Sequence, residues 1–432
     1  MEKKQNYTIP IIVMFLLFGM ISFVTNLASP MGDILKNQFS IPNWQGTLGV
    51  FANFIAYAIM GYPAGSLLQR RGYKKTALLA ITVGFVGVGI QTISGVMSSF
   101  GVYLLGAFIA GFSMCLLNTV VNPMLNRLGG GGNKGNQLIQ FGGSFNSLCG
   151  TAVIVLTGLL IPSIADAKIK DVFPLMYTAL AVFALAFIVI SLTKIPENEA
   201  TQAAQAAAVK EGGRGPLAFR HFVLGAIAIF IYVGVEVGIP NVMNKWLQNP
   251  DLNVLGQGVN AEAIAGSVAA TYWFLMLVGR LLGGIVGSKV SARRMIEVVA
   301  TVAIVLVLAA MFVPMVMVKF PAFNGAQGFG MVNIPLSAAL LVCIGLCTSV
   351  MWGGIFNLAV EGLGKYTEKA SGIFMALVCG GGILPLLQNG IVDIMGPAGY
   401  LPSYWVIVAG LAYILFYALI GSKNVNKDIS VE

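Results

Sequence analysis

Charge is what this sequence has least of. Only 9% of its 432 residues are charged, with 16 acids and a single histidine. A soluble domain carries about 25% charged residues, so this composition excludes a conventional soluble protein. The five cysteines, Cys115, Cys149, Cys343, Cys347 and Cys379, all lie in apolar runs without metal-ligand spacing. Their odd number leaves at least one unpaired, and they read as small apolar residues. The lone His221 stands at the start of an apolar run, where a surface position is expected rather than a proton relay. The run Gly129-Gly130-Gly131-Gly132 lacks the Gly-Lys-Ser/Thr of a phosphate loop. No metal, no cofactor and no catalytic pair is expected, and an intramembrane enzyme is the least favoured class.

What is present is apolar length. Hydrophobic residues make up 57% of the chain, with 53 glycines, as suits helices packed closely in lipid. A bilayer crossing takes about 20 such residues. On that measure the sequence predicts an all-α integral membrane protein with twelve transmembrane helices: 8–30, 44–69, 74–97, 99–127, 136–162 and 172–194, then 219–247, 262–288, 293–318, 333–361, 369–395 and 401–422. Lys3 and Lys4 ahead of the first run resemble a signal peptide, but no small-residue cleavage site comes after them. That run is read as an uncleaved first span. The longest polar stretch divides the chain into an N-terminal six-helix bundle (1–194), a cytoplasmic linker (195–218) and a C-terminal six-helix bundle (219–432).

The net charge of +9 raises the question of nucleic acid, but the charges sit in short loops, which excludes it. With the N-terminus inside, 19 of the 25 Lys/Arg fall in inside loops and five outside, at Lys36, Lys168, Lys170, Lys245 and Lys319. The positive-inside bias therefore predicts cytoplasmic N- and C-termini, in a cytoplasmic (inner) membrane.

The two halves also repeat. At one constant offset, Gly65 meets Gly284, Arg70 meets Lys289, and Lys74-Lys75 meets Arg293-Arg294. Two pseudo-symmetric six-helix repeats around a midplane site describe the major facilitator architecture. Residues 65–75 resemble motif A of that superfamily, Gly-x-x-x-Asp-Arg-x-Gly-x-Lys-Lys, with Gln69 in place of the acid. Four further elements resemble the fucose–galactose–glucose:proton symporter family. They are Asn43-Trp44-Gln45 with Tyr62-Pro63-Ala64-Gly65, Leu117-Asn118-Thr119-Val120-Val121-Asn122-Pro123, Ser144-Phe145-Asn146-Ser147 and Tyr232-Val233-Gly234-Val235-Glu236-Val237. Gly380-Gly381-Gly382-Ile383 fits as well. The resemblance implies a monomeric secondary transporter importing a small neutral solute, a monosaccharide, by alternating access and with ion coupling. It departs at the positions where that family carries proton-binding acids. Those read Ser29 and Asn118 here; a one-turn gap would instead align Asp33-Ile34-Leu35. Proton, sodium and uncoupled transport stay open.

Glu236 is the sharpest candidate residue. It lies mid-span with no basic partner at helical spacing, and an ionisable side chain in the bilayer core costs about 2.5 kcal/mol or more. It suits a proton carrier, a sodium ligand beside backbone carbonyls, or an acceptor for sugar hydroxyls. The plain alternative is a protonated side chain bonded to a neighbouring helix. Asn118 and Asn122 share a helix face, and Pro123 releases a carbonyl one turn back. In the resembling fold, Asn118, Asn122, Asn146, Asn357 and Gln388 are candidates for sugar contact, since an amide both donates and accepts. Taken singly, each is as well read as interhelical glue. Trp273 and Trp352 interrupt their spans far from the ends and offer rings for sugar stacking, with packing as the alternative. Trp246 and Trp405 read as interfacial belt residues. Arg70 and Lys74 are gating candidates on motif A. Arg280 is read as a gating or structural partner snorkelling toward the cytoplasmic face. Efflux of an amphipathic compound, facilitated diffusion and a transport-inactive sensor remain alternatives.

Overall fold

Hydrocarbon offers a backbone N–H or C=O no partner, so a chain this apolar must satisfy those groups within each crossing, and helices do so. The structure, a computed structural model, describes residues 7–39, 48–160, 168–196, 215–426 and 429. Among them, ten helical stretches are long and apolar enough to cross a bilayer. One of these, Phe51–Met97, has 47 residues, far beyond a single crossing. The helical run Leu48–Met97 turns at Gly72 (φ 77°, ψ 177°), a backbone state that glycine alone adopts without cost. It therefore supplies two crossings, α2 (48–71) and α3 (73–97). The polar-headed helix Gly132–Leu160 completes a set of twelve.

The first six are α1 (Thr8–Phe39), α2, α3, α4 (Phe100–Leu128), α5 (Gly132–Leu160) and α6 (Phe173–Leu192). The second six are α7 (Arg220–Gln248), α8 (Ala261–Val286), α9 (Ala292–Phe312), α10 (Leu336–Thr348 and Met351–Val360), α11 (Thr367–Ala376 and Gly380–Met395) and α12 (Trp405–Phe416, extended by Tyr417–Gly421). Both α10 and α11 are interrupted near their middles, as transporter helices at membrane depth often are. The linker expected at 195–218 lies largely outside the described residues, as do Asn43-Trp44-Gln45 and the side chains of Ser29 and Asp33.

Two expectations are corrected. Helix α1 does not stop near residue 30 but runs on to Phe39. The ninth span ends at Phe312 rather than 318, because Pro314 disfavours helix in the residue before it. Beyond Pro314 the chain forms an antiparallel hairpin, β1 (Met317–Phe323) and β2 (Phe329–Pro335), with Phe323 opposite Phe329 and Met317 opposite Pro335. Exposure alternates along most of β1, as the strand period dictates, whereas hydropathy over a 20-residue window does not report strand pairing.

The chain packs as two compact units. The first comprises Met1–Val223, Val360–Val378 and Asn424–Glu432; the second comprises Leu224–Ala359 and Cys379–Lys423. In the first, the initial half of α11 seats against α2 and α4. Gly65 and Gly372 meet backbone to backbone, so that a Cβ on Gly372 would strike Gly65 N and Gly61 O. Small residues of this kind let helices approach closely in lipid. Pro123 cannot donate to the carbonyl of Thr119, and Ser371 Oγ donates to that carbonyl at 3.1 Å. Tyr73 Oη donates to Glu368 Oε1 at 3.2 Å. In the motif where Gln69 replaces the acid, the carboxylate thus stands on the other partner, in the first turn of α11, where the helix dipole favours it.

In the second unit, α8 and α9 flank α10, and α12 packs on α9. Tyr272 Oη and Thr348 Oγ1 lie 3.0 Å apart across the α8–α10 contact.

The α2–α11 seam is open to a direct test. Gly372→Leu is expected to destabilise the protein by about 1–3 kcal/mol through overpacking, read as a lower unfolding midpoint in detergent. Gly390→Ala, with open space around the new Cβ, is expected to leave that midpoint unchanged or raise it.

Candidate functional site

The first unit gathers its polar residues around the middle of α4. Asn118 and Asn122 sit four apart, so their side chains meet on one face. Asn118 Nδ2 donates to Tyr57 Oη on α2 at 2.7 Å and to Met114 O at 3.1 Å. Asn122 Nδ2 donates to Asn118 O at 2.8 Å and Asn118 Oδ1 at 3.4 Å. The result is a buried ladder of amides and a phenol. Asn146 stands apart from it, with its Nδ2 held by the carbonyl of Phe18 on α1 at 2.7 Å. That contact ties α5 to α1 and fits the helix-gluing reading.

The motif A cations divide. Arg70 is exposed, whereas Lys74 Nζ donates to Ser191 O and Thr193 O at 2.8 and 2.9 Å. A cation on the final carbonyls of α6 satisfies acceptors that have no intrahelical partner and complements the helix dipole. Lys74 therefore fastens α3 to α6 within the unit.

The second unit is organised by charge. Glu236 lies on α7 at 8% exposure, and Arg280 Nη2 on α8 reaches its Oε1 at 3.3 Å. Both side chains are nearly enclosed, at 11% and 12% exposure. The expectation that Glu236 lacks a basic partner holds only along its own helix; the partner comes from the neighbouring one. Arg280 accordingly turns inward instead of snorkelling to the cytoplasmic face. A buried pair of this kind gains little net stability, because desolvation offsets the attraction. Removing one member costs far more, since it strands the other.

Tyr232 precedes Glu236 by one turn and shares its face. Its ring lies 6.4 Å from that of Trp352 on α10, centroid to centroid. Trp352, Tyr232, Glu236 and Arg280 thus form one connected aromatic and ionic set. Asn357, one and a half turns beyond Trp352, is also buried. Tyr232 is the member of this set that sequence reasoning misses, although its signal is present: an aromatic hydroxyl spaced one turn from an intramembrane acid.

Two candidates fall elsewhere. Gln388 is fully buried, with neither amide atom hydrogen-bonded. It packs on Gly238, where a Cβ would strike its Oε1. Positions 236 and 238 point to nearly opposite sides of α7, so Gln388 is separated from the ion pair by the helix itself. Trp273 is 38% exposed and meets Tyr272 edge-on, with centroids 5.5 Å apart. Exposure to that degree on a span fits a ring at the periphery of the unit.

Two other readings are corrected. His221 is completely buried, with Nε2 2.9 Å from Glu361 O and its ring edge-on to Phe219, because the 360–378 segment folds over the start of α7. Trp246 is 3% exposed, a core residue rather than a belt residue. Trp405, 52% exposed, stays at the surface. Among the described residues, no cluster of three His, Cys, Asp or Glu is placed to hold a metal.

Known proteins resemble this chain in sequence and in fold. The family model described as Major Facilitator Superfamily matches residues 11–386. A relative named glucose/galactose transporter, from Brucella abortus biovar 1 (strain 9-941), is 31% identical over 98% of this chain and 96% of its own length. An L-fucose-proton symporter from Escherichia coli (strain K12) is 22% identical over 96% of this chain and 93% of its own. Among solved structures, FucP in the outward conformation superposes with a TM-score of 0.78 at 19% identity, covering 97% of this chain and 100% of that one; at that identity the likeness concerns the fold.

The ion pair lends itself to a double-mutant cycle. Arg280→Met alone is expected to cost about 3–5 kcal/mol by leaving a buried carboxylate unpaired. Combining it with Glu236→Gln should recover most of that loss. Unfolding midpoints of the purified protein in detergent measure both.

Proposed function

The chain belongs to the Major Facilitator Superfamily, and from that premise we propose that it imports a monosaccharide of the glucose, galactose or fucose type by alternating access, coupled to an ion. The superfamily consists of transporters, not enzymes, and the chain is a multi-pass membrane protein. The observation that carries the substrate reading is the end-to-end likeness to a glucose/galactose transporter, 31% identical over 98% of the chain. The chemistry inside each unit agrees with it. Neutral sugars are bound by groups that both donate and accept hydrogen bonds, and by flat aromatic faces. Amides have the first property, and Asn118 and Asn122 present it on α4. Trp352 and Tyr232 supply rings beside Glu236.

Within this reading, Asn118, Asn122, Trp352 and Asn357 are the sugar-contacting residues, and Glu236 is the coupling carboxyl. Asn146 has its donor committed to α1 and acts mainly in support. Gln388 brings an amide whose hydrogen bonds the protein leaves unmade, a capacity that a polyhydroxylated ligand can meet. Arg70 and Arg280 remain the gating candidates, whereas Lys74 serves α6. In this reading the protein is a monomer in the cytoplasmic membrane, with both termini inside, an orientation that the distribution of Lys and Arg supports. Alternating access then results from movement of one six-helix repeat against the other around a midplane site.

Counterflow tests the substrate class. Liposomes containing the purified protein and loaded with unlabelled glucose or galactose are expected to draw in the labelled sugar transiently above equilibrium. Protein-free liposomes should not. Absence of counterflow with glucose, galactose and L-fucose alike would reject the sugar reading. Asn118→Ala is expected to raise the half-saturating concentration roughly tenfold, equivalent to about 1.4 kcal/mol of binding.

A further inference from the structure

We propose that the β1–β2 hairpin is an interfacial anchor. It lies in the headgroup layer of the leaflet that holds the first turns of α8, with Phe323, Phe329 and Met331 immersed in phospholipid. In the orientation proposed above, this is the outer leaflet. The inference concerns lipid and does not depend on the sugar reading.

Composition and backbone bracket the depth from two sides. Between Pro314 and Pro335 the sequence carries one charge, Lys319, as few as a membrane span does. Phe323, Phe329 and Met331 are 49%, 73% and 63% exposed. Phe323 stands opposite Phe329, and Pro321 opposite Met331. Alternate residues of a strand share a face, so all four side chains lie together. Water disfavours a contiguous apolar face of this kind. The hydrocarbon core is excluded as well. A sheet of two strands leaves a row of unpaired N–H and C=O groups along its outer edges, and the core offers them no partners. Only the boundary layer gives acyl chains to the rings and hydrogen-bonding groups to the edges.

The attachments of the hairpin hold it at that level. Asn260 N, at the N-cap of α8, donates to Asn324 Oδ1 at 3.1 Å, and Phe323 N donates to Ser267 Oγ at 3.0 Å. Asn260 and Ser267 are separated by about 10 Å along the helix axis. The tip therefore lies against the side of the first two turns of α8 and does not project beyond them. At the base, Leu336 N donates to Val316 O at 2.8 Å and closes the strands where α10 begins. The opposite face of the hairpin packs on its own unit, with Ala322 and Ile334 fully buried.

The outward face also continues a surface that meets lipid. Phe312, at the end of α9, is 69% exposed, and its ring lies 6.3 Å from that of Trp405, centroid to centroid. Trp405 is an exposed ring at a helix end, the position that tryptophans take at membrane boundaries. Met315, Val316 and Met317 are exposed too and carry the apolar strip from Phe312 into β1. Lys319 is exposed on the same face as Phe323, opposite Asn333. Its stem can lie over apolar neighbours while its ammonium meets a lipid phosphate, so the one charge of the hairpin complements the headgroup layer.

Photocrosslinking of the full chain tests the proposal. The photoreactive amino acid p-benzoylphenylalanine replaces Phe329 or, separately, Phe323, and the protein is reconstituted in liposomes of phosphatidylethanolamine and phosphatidylglycerol. After irradiation, mass spectrometry is expected to find adducts of one phospholipid at both positions. Their yield should be several-fold above that of the same probe at Asp251, an exposed position in the polar loop before α8. Lipid adducts no more frequent than at Asp251 overturn the proposal. Crosslinks to a second copy of the chain in place of lipid also overturn it and assign the face to self-association. If a probe protein fails to fold, the native methionines decide. In wild-type protein in nanodiscs, Met315 and Met331 are expected to be oxidised by the membrane-impermeant reagent chloramine-T several-fold more slowly than in the unfolded chain. Oxidation at the rate of the unfolded chain overturns the proposal, because these side chains then stand in water.

Discussion

A backbone group in hydrocarbon has no solvent to turn to, and that constraint organises everything else in this protein. It requires helices wherever the chain crosses the membrane. It also makes any break in a helix conspicuous, because the released carbonyl must find a partner among neighbouring segments. Pro123 illustrates the rule: it withdraws the N–H that would bond Thr119 O, and Ser371 supplies the missing donor. A local defect in α4 becomes the anchor for the first turns of α11. The glycine contacts between α2 and α11 act with it, since Gly65 and Gly372 allow the backbones to approach as no larger pair would.

The same scarcity of water gives the second unit its character. A lone carboxyl within the membrane is expensive, and here it is held by an arginine from the adjacent helix. Such a pair contributes little to stability relative to well-packed apolar residues. Ionised groups that depend on each other for neutrality respond together to any ligand that binds one of them. The amide ladder of the first unit has no such response; it offers shape and hydrogen bonds. The two units therefore differ in what they bury around these residues, an amide ladder in the first and an ion pair in the second.

Several features are legible without coordinates. Long apolar runs separated by basic loops indicate the helices, since length in hydrocarbon is a one-dimensional property of the chain. Gly65 to Lys75 mark the tight passage from α2 to α3. Glu236 stands out because a carboxyl amid apolar neighbours needs a reason. Other features are hidden for equally physical reasons. Hydropathy divides the 317–335 hairpin between two helices and a loop, because an average over a window carries no information on which residues pair across strands. Positions near helix ends suggest surface for His221 and Trp246, yet burial depends on what folds over them. The length of the Arg280 side chain suggests the cytoplasmic boundary, but it reaches an acid on α7 just as readily.

Sequence alone determined that this is a membrane protein of many helices, with two repeated halves, basic loops and an acid within an apolar run. Each of these comes from local composition and spacing, which solvent and bilayer act on directly. Only the tertiary structure decided which residues meet: Arg280 with Glu236, Tyr57 with Asn118, Glu368 with Tyr73, and Gln388 on the far side of α7 from the ion pair. Those pairings depend on how helices distant in the chain rotate and cross, and a helix of given sequence fits many neighbours until packing selects one.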